Sequence, residues 1–380
     1  MASGFCGFSQ DVLEEILSWL PPESLMQSKL VSKSWYALIS SLVKNPIFVS
    51  KHLQNIDKRI FSSSTCIVFC CTRPGYWPDP RTFSSVTISN DVCENDRLEY
   101  TSEYFKVPFI SSGGAFHCNG IVCLAGYDGT VMLCNPAINE YRTLPKPFLT
   151  GEGFFLQGAG FGYDSRANDY KVVRFGFFGF PVENIEAAEV YSLESDSWRE
   201  IERQVEFGGL PFIDRGVFCK GVFYWLISTN DDYLILSFDI SDEVFHSIAL
   251  PDNLPVTLAK EIKLAVWNES VALFFCLGER EAPRFIELWV LDDRSWIKKL
   301  TIGPLDGIAT ACAFWKNDEL LLQETVGGIV SYNLHSQRLR NLTIRGVESV
   351  RHWECLYVKS LVSMRGGNQA RADKVTRKSI

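Results

Sequence analysis

The sequence of 380 residues has little that would support metal or covalent chemistry. Its five histidines, at 52, 117, 246, 335 and 352, are scattered. None of its twelve cysteines forms a Cys-x-x-Cys pair. Zinc sites need close paired ligands, so His117-Cys118 with Cys123 is the nearest approach and a poor one. No metal and no cofactor are expected, and the cysteines read as buried thiols of a reducing compartment. No Gly-x-x-x-x-Gly-Lys-Ser/Thr or Gly-x-Ser-x-Gly occurs. GAGFGYD (158–164) lacks the third glycine of a dinucleotide loop and leads into an expected strand rather than a helix. Asp231-Asp232 and Asp292-Asp293 fall at expected hairpin turns, where aspartate suits the turn itself. No catalytic residue is assigned.

Long apolar runs and cationic excess are missing too. Nothing approaches eighteen consecutive apolar residues, so no membrane-spanning helix is expected. The start, MASGFCGFSQ, lacks the basic and apolar regions of a secretory signal. A cytoplasmic location is expected, with the nucleus open. The net charge is −8. Residues 1–60 carry +1 and residues beyond Ser363 carry +4, which leaves −13 for the body between them. An acidic body repels nucleic acid and draws basic partners.

Helical periodicity is confined to the first sixty residues. Val12, Ile16 and Leu20 recur four apart, with Leu13 and Leu17 widening the stripe and Asp11, Glu14 and Glu15 outside it. Ser9 suits the N-cap. Pro21-Pro22 ends this helix, and Pro22 can open the next, which carries Leu25, Met26 and Leu30. Ser32 caps a third helix with Trp35, Leu38, Ile39 and Leu42. A fourth is expected from about Pro46 to Gln54. A unit this small buries little core and needs a partner for its spare apolar face.

From Phe61 the character changes to short apolar runs separated by turn clusters, which reads as all-β. AEVYSLESDSWREI (188–201), LILSFDISDEVFHSI (234–248), FIELWVLDDRSWIKKLTI (285–302) and GGIVSYNLHSQRLRNLTI (327–344) are copies of one strand–turn–strand unit. VMLCNPAINEYRTLP (131–145) is a more distant copy. Leu193, Ile240, Leu291 and Leu334 align in them. A period of about 40–50 residues points to propeller blades that stack apolar faces on one another. About six modules are expected, at 61–100, 115–145, 159–201, 216–250, 262–302 and 308–344, with a closing strand between His352 and Met364. An irregular β-sandwich is the alternative. Gly120, Gly221 and Gly328 each precede a short strand, as a crowded axis would require. Gly160, Gly162 and Asp164 read as a tight loop. Trp198 and Trp296 read as packing between modules. Phe175, Phe177, Phe178 and Phe180 read as a buried strand, with an exposed patch as the other possibility.

VLEEILSWLPPESLMQSKLVSKSWYALIS (12–40) resembles an F-box, although Phe8-Ser9 stand where that family has Leu-Pro. LCNPAINEYRTLP, GFGYDSRANDYKVVR, AEVYSLESDSWREI and FWKNDELLL resemble the F-box-associated, kelch-like domain of plant F-box proteins, and their order is similar to the S-locus F-box family. The resemblance implies a helical domain at 8–54 and a β domain at 61–364; the basic tail at 365–380 lies outside it and reads as disordered. It implies a non-catalytic subunit of an SCF ubiquitin ligase that docks on a Skp-type adaptor and, through it, on cullin and RING subunits. The target it implies is a basic pistil S-ribonuclease in pollen; an unrelated stress or hormone-response target is the alternative, and a propeller enzyme or sugar binder a remote one. The adaptor-binding residues would be Phe8, Val12, Ile16, Leu17, Leu20, Pro21, Leu25, Leu30, Val31 and Trp35. Trp35 and Leu17 are the first candidates among them to form the small core instead. Target contacts are expected in loops whose lengths vary between repeats: Arg73, Tyr76, Trp77, Phe178, Phe180, Glu183, Glu206, Phe207, Phe212 and Asp214.

Overall fold

A computed structural model describes residues 8–60, 64–71, 82–93, 97–106, 111–126, 129–151, 153–179, 185–201, 212–213, 216–228, 233–250, 259–278, 282–293, 295–316, 318–325, 328–342 and 350–364. Between 57 and 114 it describes backbone alone, apart from Ile88, and the same holds at several strand ends.

Four helices come first. Ser9 caps α1 (Gln10–Ser18), its hydroxyl accepting from Val12 N at 3.4 Å, with Asp11 in the first turn. Pro22 opens α2 (Pro22–Ser28). Ser32 caps α3 (Lys33–Leu42) by accepting from Trp35 N at 3.3 Å. α4 (Pro46–Ile60) is longer than the periodicity suggested. Asn55, beyond the expected end, is buried and donates to Ser18 Oγ at 2.8 Å. A tertiary hydrogen bond thus carries the helix past its weak local pattern. Leu17, Leu25, Ile39, Leu42 and Phe48 form the core.

Among the described residues, six antiparallel sheets follow in chain order. The first holds β1 (Ser64–Cys71), β2 (Thr82–Cys93) and β3 (Arg97–Lys106). The second holds β4 (Ser111–Cys118), β5 (Ile121–Gly126), β6 (Val131–Asn135) and β7 (Glu140–Thr143), with a 3-10 turn at Pro136–Ile138. The third holds β8 (Phe154–Asp164), β9 (Asp169–Phe178), β10 (Ile185–Ser192) and β11 (Ser197–Ile201). The fourth holds β12 (Phe212–Ile213), β13 (Val217–Cys219), β14 (Val222–Ser228), β15 (Tyr233–Asp239) and β16 (Val244–Ala249). The fifth holds β17 (Ala259–Trp267), β18 (Ser270–Leu277), β19 (Arg284–Asp292) and β20 (Ser295–Leu305). The sixth holds β21 (Ile308–Lys316), β22 (Glu319–Glu324), β23 (Ile329–Asn333) and β24 (Arg338–Leu342). The last strand, β25 (Val350–Tyr357), pairs with β1 and completes the first sheet.

The arrangement is a β-propeller. The leading strands touch from sheet to sheet: β25 with β4, β4 with β8, β8 with β13, β13 with β17, and β17 with β21. β21 meets β1 and β24 meets β3, so the ring closes on itself. Two stacked faces, as in a sandwich, would not give this cycle. Apolar layers fill the spaces between the second and third, third and fourth, fourth and fifth, and fifth and sixth sheets. Trp198 lies in the layer between the second and third sheets, and Trp296 packs on the layer between the fourth and fifth. Phe175 and Phe177 are buried and Phe178 is half-buried.

The repeated sequence unit is a turn device. At the end of the third strand of a sheet, a polar side chain accepts from the N–H groups two or three residues ahead. Asn135 Oδ1 accepts from Ala137 at 3.1 Å, Ser192 Oγ from Ser195 at 3.2 Å, Asp239 Oδ1 from Ser241 at 2.8 Å, and Asn333 Oδ1 from Ser336 at 2.7 Å. A left-handed residue then closes each turn: Asn139, Asp196, Glu243 and Gln337.

Two glycine readings are corrected. Gly160, Gly162 and Asp164 lie inside β8, and the chain reverses at 165–168 instead. A Cβ at Gly160 would come within 2.7 Å of the Phe223 ring, and one at Gly162 within 2.7 Å of the Phe218 ring. These glycines admit aromatic rings of the next sheet against bare backbone. Gly221 has open space around it, so its turn conformation (φ +83) requires glycine, and axial crowding does not. The closing strand also stops early, at Tyr357. Beyond it, side chains of the second sheet hold the backbone.

Candidate docking faces

The helices leave apolar side chains in solvent. Phe8, just before α1, and Val12 and Ile16 on it are 60%, 43% and 47% exposed. Leu30 and Val31, after α2, are 87% and 70% exposed. Leu17 and Leu25, placed among the docking residues from sequence, are 2% and 0% exposed and belong to the internal core. α1 turns Leu17 inward and α2 turns Leu25 inward to hold the bundle together. Leu20 and Trp35 are half-buried against that core, and Pro21 is exposed. Exposed Trp19, Tyr36 and Ile47 were missed. They lie outside the α1 stripe, and only the packed bundle reveals which side they face.

The bundle holds α1 firmly from behind. His52, fully buried on α4, places Nε2 2.8 Å from the Leu20 carbonyl. Lys51 of α4 pairs with Glu15. The exposed stripe is therefore a prepared surface rather than a frayed end.

The propeller has two distinct ends. Neighbouring strands run antiparallel, so first-to-second and third-to-fourth turns share one end, and the remaining connections share the other. The helices sit at the first end. Ile138, in the turn between β6 and β7, packs on the helical core, and Lys359 pairs with Glu23 at 2.5 Å. The strand ends that flank the expected target loops, Cys71/Thr82, Phe178/Ile185 and Ile201/Phe212, lie at the opposite end. Of the expected contact residues, Phe178 is half-buried at that end, 5.0 Å from the Phe154 ring, and Phe212 is described by backbone only. Arg73, Tyr76, Trp77, Phe180, Glu183, Glu206, Phe207 and Asp214 lie outside the described residues. Phe148, Phe155 and Phe285, exposed at this same end, were missed, because single aromatics at strand margins carry no periodic signal.

Buried charged groups of the propeller pair with one another. Burial would raise the Asp164 carboxyl, but hydrogen bonds from Lys171 at 2.7 Å and Ser241 at 2.6 Å hold it down at about 2. Lys171 also reaches Glu243 at 2.8 Å and so ties the third sheet to the fourth. Arg174 and Glu189 form a buried pair at 2.9 Å, with the guanidinium 5.6 Å from the Trp198 ring centre. Burial pushes the Cys118 and Cys134 thiols up to about 12, and Cys123 upward as well, so none is a ready nucleophile. His117 is pushed down to about 4 by burial, and its Nε2 accepts from Gly120 N at 2.9 Å and Val358 N at 3.2 Å. Among the described residues no His, Cys, Asp and Glu side chains group to hold a metal, and no helix is long and apolar enough to cross a membrane.

Comparison with known proteins agrees with this two-part geometry. The family model of the F-box domain matches residues 5–46, and that of the F-box associated beta propeller domain matches residues 84–364. A probable F-box protein of Arabidopsis thaliana is 28% identical over 304 residues, covering 74% of this chain and 63% of that protein. A putative F-box protein of the same plant is 30% identical, covering 63% of this chain and 60% of its own length. An F-box/kelch-repeat protein, also from Arabidopsis thaliana, is 26% identical over 93% of this chain and 94% of its own length. The chain thus spans less than two thirds of the length of two of these relatives. The chain belongs to the F-box proteins that carry an F-box associated beta propeller domain.

Proposed function

We propose that this chain is the substrate-recognition subunit of an SCF-type ubiquitin ligase. Val12, Ile16, Leu30 and Val31 receive a Skp-type adaptor, which leads to the cullin and RING subunits. Phe8, Leu20, Pro21 and Trp35 border that contact. The far end of the propeller holds the protein target, with Phe178 and Phe212 at its strand ends. The chain performs no catalytic step of its own; it supplies proximity and orientation to chemistry on other subunits. It works in the cytoplasm or nucleus.

One observation carries this reading. The helical unit, with Leu361 filling its core, still exposes Leu30 and Val31 by more than two thirds. Apolar groups left in water on a packed unit mark an interface. A pull-down from native tissue tests it, comparing wild type with Val12→Asp/Ile16→Asp. Loss of adaptor and cullin from the variant supports the proposal, and their retention overturns it.

For the target we propose a basic protein, with S-ribonucleases as the class suggested by the resemblance to S-locus F-box proteins. The charge of −13 on the body supports this by sign. Capture of a basic ribonuclease that weakens steeply with salt is the expected result. A neutral or acidic stress or hormone-response protein retained in its place would favour the alternative.

A further inference from the structure

We propose that residues 358–364 are a two-faced strap that holds the N-terminal helices on the propeller, and that the folded form of the helices depends on it. The segment leaves the ring at Tyr357 and runs extended between the two parts of the molecule. Its side chains alternate from Lys359 to Val362, after which Ser363 turns to the propeller and donates to Glu140 at 2.8 Å. Ser360 is fully buried on the propeller side, where its hydroxyl donates to the Asn119 carbonyl at 2.6 Å. Met364 is buried in the apolar layer between the second and third sheets, and Val362 packs against it. Lys359 and Leu361 face the other way. Lys359 pairs with Glu23 of α2, and Leu361, 1% exposed, lies in the helical core with Leu17, Leu25 and Ile39.

The second sheet is shaped to grip the strap's backbone. Asn135 Nδ2 donates to the carbonyls of Ser360 at 3.1 Å and Val362 at 2.8 Å. Arg142 Nη1 donates to the Met364 carbonyl at 2.8 Å, and Glu140 Oε2 accepts from Met364 N at 3.1 Å. These side chains take the place of a strand partner, so the chain stays extended without joining a sheet. A residue from the far end of the sequence thereby completes a core that three short helices and α4 cannot close alone. The consequence for adaptor docking rests on the proposed function; the strap itself does not.

Hydrogen exchange on the full-length chain tests the strap without any adaptor. In Leu361→Ala, amides of α1–α4 should exchange at least tenfold faster, while β14 and β15 keep wild-type protection. Unchanged helix protection overturns the proposal. Lys359→Glu should speed exchange in α2 several-fold, and Glu23→Lys added to it should restore protection. Failure of the reversal overturns the proposal even if Leu361→Ala loosens the whole chain. Adaptor capture is measured in parallel: loosened helices in the variant, with no capture by wild type, would support the strap and reject the adaptor reading.

Discussion

Gly120 and Ser360 fit each other so closely that a methyl group on the glycine would overlap the serine hydroxyl. Gly120 also has φ +85, where a side chain is strained regardless of space. Gly221 has nearly the same φ, +83, and open surroundings. Gly120→Ala should therefore lower stability by about 2–4 kcal/mol, the sum of strain and overlap. Gly221→Ala should cost only about 1 kcal/mol from strain. Denaturant unfolding of both variants checks the difference, and equal losses would remove Ser360 from the account.

Ile16 and Leu17 are adjacent in sequence and opposite in environment. Ile16→Asp should change stability by less than about 1 kcal/mol, because its side chain already meets water. Leu17→Asp buries an unpaired carboxylate and should cost about 3–5 kcal/mol, enough to melt the helices. Helix circular dichroism separates the two. Only Ile16→Asp should lose adaptor binding while the helices stay folded.

His117 makes stability depend on pH. Its folded value of about 4 lies below the ordinary histidine value of 6.5. The unfolded chain therefore takes up the proton first as pH falls. The contribution of His117 is complete above about pH 6.5 and declines toward pH 4, by roughly 2–3 kcal/mol. Both N–H groups aimed at Nε2 oppose protonation there. His117→Asn should flatten this part of the stability profile, as measured by urea unfolding between pH 7 and pH 4.

Arg174 and Glu189 are both buried, so removing one charge strands the other. Arg174→Met should cost about 3–5 kcal/mol. Glu189 also accepts from Phe148 N at 2.9 Å, a bond that glutamine can keep. Adding Glu189→Gln to Arg174→Met should then recover at least about 1 kcal/mol. A strictly additive loss in thermal unfolding would show that the pair is not coupled.

The helices and the repeat were legible for local reasons. Ser9, Pro22 and Ser32 act within a few residues of their own backbone, and each caps or opens the helix that its position implies. Asn135, Ser192, Asp239 and Asn333 hold turns through neighbours two or three residues away, so the unit repeats visibly along the chain. Gly160 and Gly162 misled because their reason lies on another sheet, in the Phe223 and Phe218 rings.

By itself the sequence determined the change from helices to strands near residue 61, the repeat spacing, the burial of Phe175, Phe177 and Trp198, and the stripe on α1. Each depends on periodicity or short-range hydrogen bonding, which one strand of text records. Tertiary structure alone decided that Leu25 turns inward while Leu30 stays in water. It also decided that α4 continues to Ile60, and that Leu361 enters a core built at the other end of the chain. Those outcomes depend on burial among segments distant in sequence, and burial is a property of the packed whole.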